Sequence, residues 1–302
     1  MLVYHTHSFN KNLRCLLGIS SATVSHENFR RNQPGLRAVS TPKPRPLSFA
    51  ESGALIVGGT SGVGLATARQ LVASGVKRIA LMARNVERGA RARQTILAVA
   101  PDSDVRFVPG DANDPARARE AHDKVKDIIG SIDILVNSTT SSFAPELFHK
   151  TPVANIPTII NQLVVAPLQM CGLVLPDMRQ RGTGVIVNIA SDAAKSATPG
   201  ETIIGAGMAA IVMFSKALAV EAKRDGIRVN VLTPSLIAGT PLTETIMKEG
   251  FSAKLFEKAA SLAHLGVPEA DDIAAMITFL ASPQAARITG QAISINGGIS
   301  AA

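Results

Sequence analysis

Three glycines, Gly58, Gly62 and Gly64, stand close together with Thr60, Ser61 and Val63 among them, directly after the apolar run 54–57 and before the helix-like stretch 65–73. Glycines so placed let the backbone turn sharply and let a pyrophosphate approach the helix N-terminus, where unpaired N–H groups and the helix dipole favour an anion. Tight packing alone is the other explanation of such a loop; the strand–loop–helix setting favours nucleotide binding. The next apolar run, 78–83, ends on Ala83-Arg84-Asn85, where a site preferring NAD would present Asp or Glu to the ribose hydroxyls. Arg84 can instead meet a 2′-phosphate by a charge-assisted hydrogen bond, which favours NADP(H); the alternative is a solvated surface arginine.

A loop of this kind needs a sheet to carry it. From residue 54 onward short apolar runs alternate with amphipathic stretches, giving expected strands near 54–58, 78–83, 104–108, 132–137, 184–190, 227–232 and 291–295. That alternation predicts an α/β fold in a single domain over 51–302, a doubly wound parallel sheet of about seven strands with ligands at the carboxyl ends of the strands. No run reaches the roughly 18 uncharged apolar residues of a membrane span, so neither a membrane nor a metal-binding role is expected. Cys15 and Cys171 lie far apart, and His5 and His7 fall in the leader.

The net charge of +8 is concentrated at the N-terminus: residues 1–50 hold seven basic residues against the single acid Glu27. The remainder is close to neutral, which argues against nucleic acid as a partner. Residues 1–50 read as a disordered basic leader closed by Thr41-Pro-Lys-Pro-Arg-Pro46, either a transit peptide or an extension without function. The corresponding locations are an organelle matrix and the cytoplasm.

Residues 52–298 resemble the classical short-chain dehydrogenase/reductase family, which implies a Rossmann-type fold. Val57-Gly-Gly-Thr-Ser-Gly-Val-Gly64 matches its cofactor loop except for Val57 in place of a threonine. The resemblance makes Asp111, with Ala112, the adenine contact and Asn137 the start of an altered Asn-Asn-Ala-Gly motif. It places Pro234 and Thr240 beside the nicotinamide and makes Ser191, ending Gly184-Val-Ile-Val-Asn-Ile-Ala-Ser191, the residue that polarises a substrate carbonyl. Helices near 158–181 and 202–224 would then build a homodimer or homotetramer, or a hetero-oligomer with an active relative.

The family's catalytic Tyr-x-x-x-Lys falls on Ile204 and Met208, and Tyr4 is the single tyrosine of the chain. The family's catalytic asparagine falls on Leu163, with Asn161 nearby. Loss of a positioned acid costs about 10²- to 10⁴-fold in rate. Asp192 is the leading substitute acid, expected to be buried against Ile204 and Met208; Lys195 and Glu201 are read as loop charges. Residues 240–264 form an expected lid with an apolar face that includes Leu242, Ile246, Met247, Phe251, Leu255 and Phe256. The expected function is an atypical NADP(H)-dependent reductase of a small apolar carbonyl, imine or enone substrate. The alternatives are an inactive NADP(H)-binding subunit or sensor, and a non-redox cyclase or isomerase.

Overall fold

The computed structural model describes residues 47–248 and 250–301. All of them belong to the unit Pro44–Ala302, and the leader expected over 1–50 falls almost wholly outside them. Seven strands form one parallel sheet in the order β3-β2-β1-β4-β5-β6-β7. They are β1 (Gly53–Val57), β2 (Arg78–Ala83), β3 (Asp104–Pro109), β4 (Ile134–Asn137), β5 (Gly184–Ile189), β6 (Ile227–Pro234) and β7 (Ala292–Ile295). The expected architecture is therefore the observed one. Parallel strands are covered on both faces, which is why β1 and β6 read as unbroken buried runs rather than as alternating ones.

Alternation returns in which face each buried residue serves. Leu55 and Val57 point into one core layer with Ala121 and Val125 of α3 (Pro115–Ile129) and Val174 of a long helix ending in Arg181. Ala54 and Ile56 point into the other, with Leu71 of α1 (Gly62–Ala73) and Ile96 of α2 (Val86–Val99). The long helix is continuous over Val153–Arg181 and comprises α4 (Ile156–Ile160), a π-helical turn over Asn161–Val165, and α5 (Ala166–Arg181). Beside it runs α6 (Thr202–Ala222); α7 (Pro241–Ile246), α8 (Gly250–Leu262) and α9 (Ala270–Ala281) complete the α-helices of the described residues.

Two of these helices, Val153–Arg181 and Thr202–Asp225, are long and apolar enough to cross a bilayer by length and composition, contrary to the expectation that no such stretch occurs. Both instead lie on the sheet. Met170, Val174 and Met178 of the first and Leu218, Ala219 and Ala222 of the second are buried against it. A helix that covers a sheet with one face and carries small or apolar residues on another reads as apolar all round.

The amino ends of the strands are tied by one buried carboxylate. Asp133, just before β4, accepts hydrogen bonds from Gly53 N (2.8 Å), Ser131 Oγ (2.6 Å) and Arg181 Nη2 (3.1 Å). It thereby joins the start of β1 to the end of α5. The fourth strand starts at Ile134, two residues later than the apolar pattern indicated, although the main chain of Asp133 already bonds to both neighbours, Asp133 N to Gly53 O at 2.8 Å and Val185 N to Asp133 O at 2.9 Å. Asp133→Ala leaves these donors without an acceptor and is expected to cost about 3 kcal/mol. Urea unfolding monitored by circular dichroism measures it, and a loss below about 1 kcal/mol would show the network to be dispensable.

Candidate active site

Chain order reverses at β1, which has β2 on one side and β4 on the other, so the connections diverge and leave a crevice at the carboxyl ends of the strands. The glycine loop fills the floor of that crevice. Gly58 has φ +79°, and a Cβ there would stand 2.2 Å from Ser138 O. A Cβ on Gly64 would stand 2.3 Å from Gly58 O. Only bare backbone lets β1, the start of α1 and the end of β4 meet so closely. Ser61, the N-cap of α1, makes no side-chain bond to the helix, so the first-turn N–H groups of α1 have no side-chain cap.

The crevice widens into a cleft of about 390 Å³. Gly58, Ser61, Gly62 and Val63 line its floor, and Ser138 to Ser141 one side. Ser191, Glu201, Ile204, Met208 and Leu163 form the wall opposite, with Pro234 to Ile237 above β6. The stretch expected as a lid folds as α7 and α8: Leu242, Ile246 and Phe256 reach the cleft, whereas Met247 packs with Leu236 and Ile246 in a small core of its own. Thr240 lines the cleft and also caps α7, accepting from Thr243 N at 3.2 Å.

The cleft thus gathers Gly58, Ser61, Gly62, Val63, Pro234, Thr240, Ser191, Ile204 and Met208 from the residues singled out in the sequence. Others of that set lie outside its lining. Gly64 packs against Gly58, and Thr60 is part of the loop. Asn85 caps α2, accepting from Arg88 N at 2.8 Å. Asp111 accepts from Asn113 N, and the Ala112 carbonyl from Gln169 Nε2. Asn137 is buried beneath the cleft, donating to Asn188 Oδ1 (2.8 Å), while Asn188 donates to Ser215 Oγ (2.9 Å). Arg84 is exposed, and Arg88, in the first turn of α2, is the arginine that lines the cleft. Its position one turn into a helix aimed at the crevice is the signal that reading Arg84 alone missed.

Asp192 is buried as expected, but on other partners. Ser191 caps a single 3₁₀ turn over Asp192–Ala194, its Oγ accepting from Ala193 N at 3.2 Å. Asp192 then turns to the C-terminal segment, where its Oδ2 accepts from Ser300 Oγ (2.5 Å) and Asn296 Nδ2 (3.3 Å). It is not part of the cleft lining, so the expected burial against Ile204 and Met208 is replaced by contact with residues about a hundred positions away. Lys195 is likewise engaged, with Ser294 Oγ. The carboxyl group in the cleft is that of Glu201. Burial, aided by the negative charge of Asp192, pushes its pKa above the ordinary glutamate value against a counteracting hydrogen bond from Thr198. Of the two residues near the asparagine position, Leu163 in the π-helical turn lines the cleft and Asn161 is exposed.

Residues 57–300 match the family model described as enoyl-(acyl carrier protein) reductase. The chain is 34% identical over 247 residues to acetoacetyl-CoA reductase of an Acinetobacter species, covering 82% of this chain and 96% of that one. The chain belongs to the short-chain dehydrogenase/reductase family. Its fold superimposes on levodione reductase with a TM-score of 0.78 at 27% identity, covering 83% of this chain and 98% of that one. On a variant of actinorhodin polyketide ketoreductase crystallised with NADPH the TM-score is 0.76 at 25% identity, covering 84% and 99%. In this member of the short-chain dehydrogenase/reductase family no tyrosine or lysine lines the cleft among the described residues. Ile204 and Met208, one helical turn apart on α6, face it instead.

Beneath the cleft, Cys171 lies fully buried beside Asn137 and Asn188, and burial pushes its thiol up to about 12. Alkylation by iodoacetamide at about pH 8 should therefore leave Cys171 unmodified in the native protein and modify it in urea. Peptide mass mapping reads this residue separately from Cys15. Native labelling of Cys171 at a rate near that of the unfolded chain would show that the layer under the cleft opens readily.

Proposed function

We propose that the chain is an NADP(H)-dependent reductase of a small apolar carbonyl, imine or enone compound. The observation that carries this reading is that the glycine cradle, the first turn of α1, which no side chain caps, and the Ser191 hydroxyl all border one cleft. The cradle fits a dinucleotide, since any Cβ at Gly58 or Gly64 would meet backbone and α1 presents N–H groups to an anion. Arg84 and Arg88 have no acidic side-chain partner among the described residues, which leaves both guanidinium groups for a 2′-phosphate. The acetoacetyl-CoA reductase relative and the NADPH-bound ketoreductase structure support the same direction.

A bound nicotinamide supplies hydride to an electrophilic carbon. Ser191 Oγ accepts from Ala193 N, so its own proton is left to donate to a substrate oxygen. Ile204, Met208, Leu163 and Phe143 wall that point with apolar surface and exclude water, which strengthens the hydroxyl's polarising effect. Leu242, Ile246 and Phe256 of the lid select for an apolar substituent.

We also propose a homodimer or homotetramer. Ala206, Ala210, Met213, Ala217 and Val220 follow one exposed stripe of α6 at alternating spacings of four and three, and Met213 is 65% exposed. Such a seam matches the same seam on a second copy.

Two measurements test these readings. Calorimetric titration should give tighter binding of NADPH than of NADH, and Arg84→Ala with Arg88→Ala should remove most of the difference. Equal affinities in the wild type would reject the phosphate assignment. Light scattering should give a dimer or tetramer mass that Met213→Asp reduces toward the monomer, whereas a monomeric wild type would end the oligomer proposal.

A further inference from the structure

We propose that Glu201 is the proton donor of this cleft. The inference rests on the reductase reading and names the group that replaces the missing acid. Among the described residues Glu201 carries the one carboxyl group in the cleft lining, and Arg88 is the one cation there.

The backbone brings Glu201 to Ser191. Glu201 precedes α6 as its N-cap, and Gly205 in the first turn donates its N–H to Glu201 O at 2.6 Å. A Cβ on Gly205 would stand 2.8 Å from Ala193 O, so α6 begins directly on the turn that follows Ser191. Both residues therefore belong to one wall. The Glu201 side chain makes no capping bond to α6, so its carboxyl is not spent on the helix's own N–H groups. Ile204, three residues on, continues the wall with apolar surface.

Charged groups on the segments packed around it are few. Asp192 lies in the turn below and raises the Glu201 pKa. Lys195 is held by Ser294. Glu146, whose N–H binds Gly200 O, turns its carboxylate to Leu147 N, and α8 presents Phe251 to Gly200. Burial dominates, so the carboxyl keeps its proton at a higher pH than a solvated glutamate does.

The step balances with a reduced nicotinamide as hydride source. Hydride forms the new C–H bond at the carbonyl carbon, the C=O π pair moves to oxygen, and that oxygen takes the Glu201 proton as the carboxyl O–H bond breaks. The resulting carboxylate is reprotonated from solvent. Ser191 holds the same oxygen by its hydroxyl throughout.

The test combines a direct titration with turnover. Infrared difference spectra of the wild type and Glu201→Gln across pH should show one carboxyl titrating above the ordinary glutamate range and missing in the variant. Because the folded pKa is raised, the protonated group's contribution to stability is complete below the unfolded value of 4.5 and is lost as pH rises through the folded one. Glu201→Gln should therefore have a higher Tm than wild type at neutral pH, with the gap closing toward pH 4.5. With NADPH and 2,3-hexanedione, ethyl acetoacetate or acetoacetyl-CoA as probes, Glu201→Gln should lose at least about 10²-fold in kcat with NADPH affinity unchanged. Glu201→Asp provides the comparison should the glutamine variant not fold. A Glu201 carboxyl titrating in the ordinary range, or undiminished turnover in Glu201→Gln, overturns the assignment while leaving the reductase reading in place. No NADPH oxidation by wild type with any probe overturns that reading, and the role of Glu201 with it.

Discussion

The structure depends on a contact between bare backbones at the centre of the sheet. Gly58 sits where a Cβ would be 2.2 Å from Ser138 O, and Gly64 where one would be 2.3 Å from Gly58 O. These two approaches fix the end of β1 against the end of β4 and the start of α1 against both. The crevice at the reversal of strand order is consequently floored by the glycine loop, with Ser61 and Val63 beside Gly58 and Gly62 and no side-chain cap on the first-turn N–H groups of α1. Glycine costs about 0.5–1 kcal/mol of conformational entropy at each regular position it occupies. The strand ladders continue past the strand ends here, Gly58 N to Met82 O at 2.8 Å and Ser138 N to Val57 O at 2.9 Å.

Much of the fold could be read from the sequence because parallel strands buried on both faces leave short unbroken apolar runs. The strands at β1, β2, β3 and β5 fall within a residue or so of the expected ranges. Differences arise where a residue's partner is distant. The sixth strand continues to Pro234, two residues beyond the expected end, because Thr233 and Pro234 pair with Ser294 and Ile295 of β7. The apolar stretches 153–181 and 202–225 hold two kinds of surface at once, one on the sheet and one exposed, and local hydropathy cannot divide them.

The site was legible as far as it is carried by backbone or by strand ends. The glycine loop, Ser191, Pro234 and Thr240 all border the cleft because sheet topology alone brings them there. Side chains on the turns after the strands were less predictable. Arg84 and Arg88 differ by four residues, but the first precedes α2 and the second lies within it, so only the helix direction distinguishes them. The placement of Glu201 in the cleft lining and of Asp192 outside it has a similar origin. The tight turn after Ser191 sends Asp192 toward Asn296 and Ser300, a pairing that no local pattern announces. Asn161 and Leu163, two residues apart in one helix, necessarily face opposite ways, and only the packing of the helix decides which of them lines the cleft.

The position of Glu201 also explains how an apolar wall can coexist with acid chemistry. A carboxyl at a helix N-terminus ordinarily loses its proton more readily, by an amount of about 0.3–1 kcal/mol when exposed. At Glu201 the shift has the opposite sign, burial and the Asp192 charge outweighing the hydrogen bond from the Thr198 hydroxyl. Ile204 and Met208 contribute to that result by withholding water and hydrogen bonds from the carboxylate form. Ile204 stands one turn after Glu201 and Met208 two turns after it, so apolar surface continues along the cleft wall from that carboxyl. A polar replacement at Ile204 would solvate the carboxylate and lower its proton affinity, and the wall's hydrophobicity and the acid's strength are thus coupled through a single turn of α6.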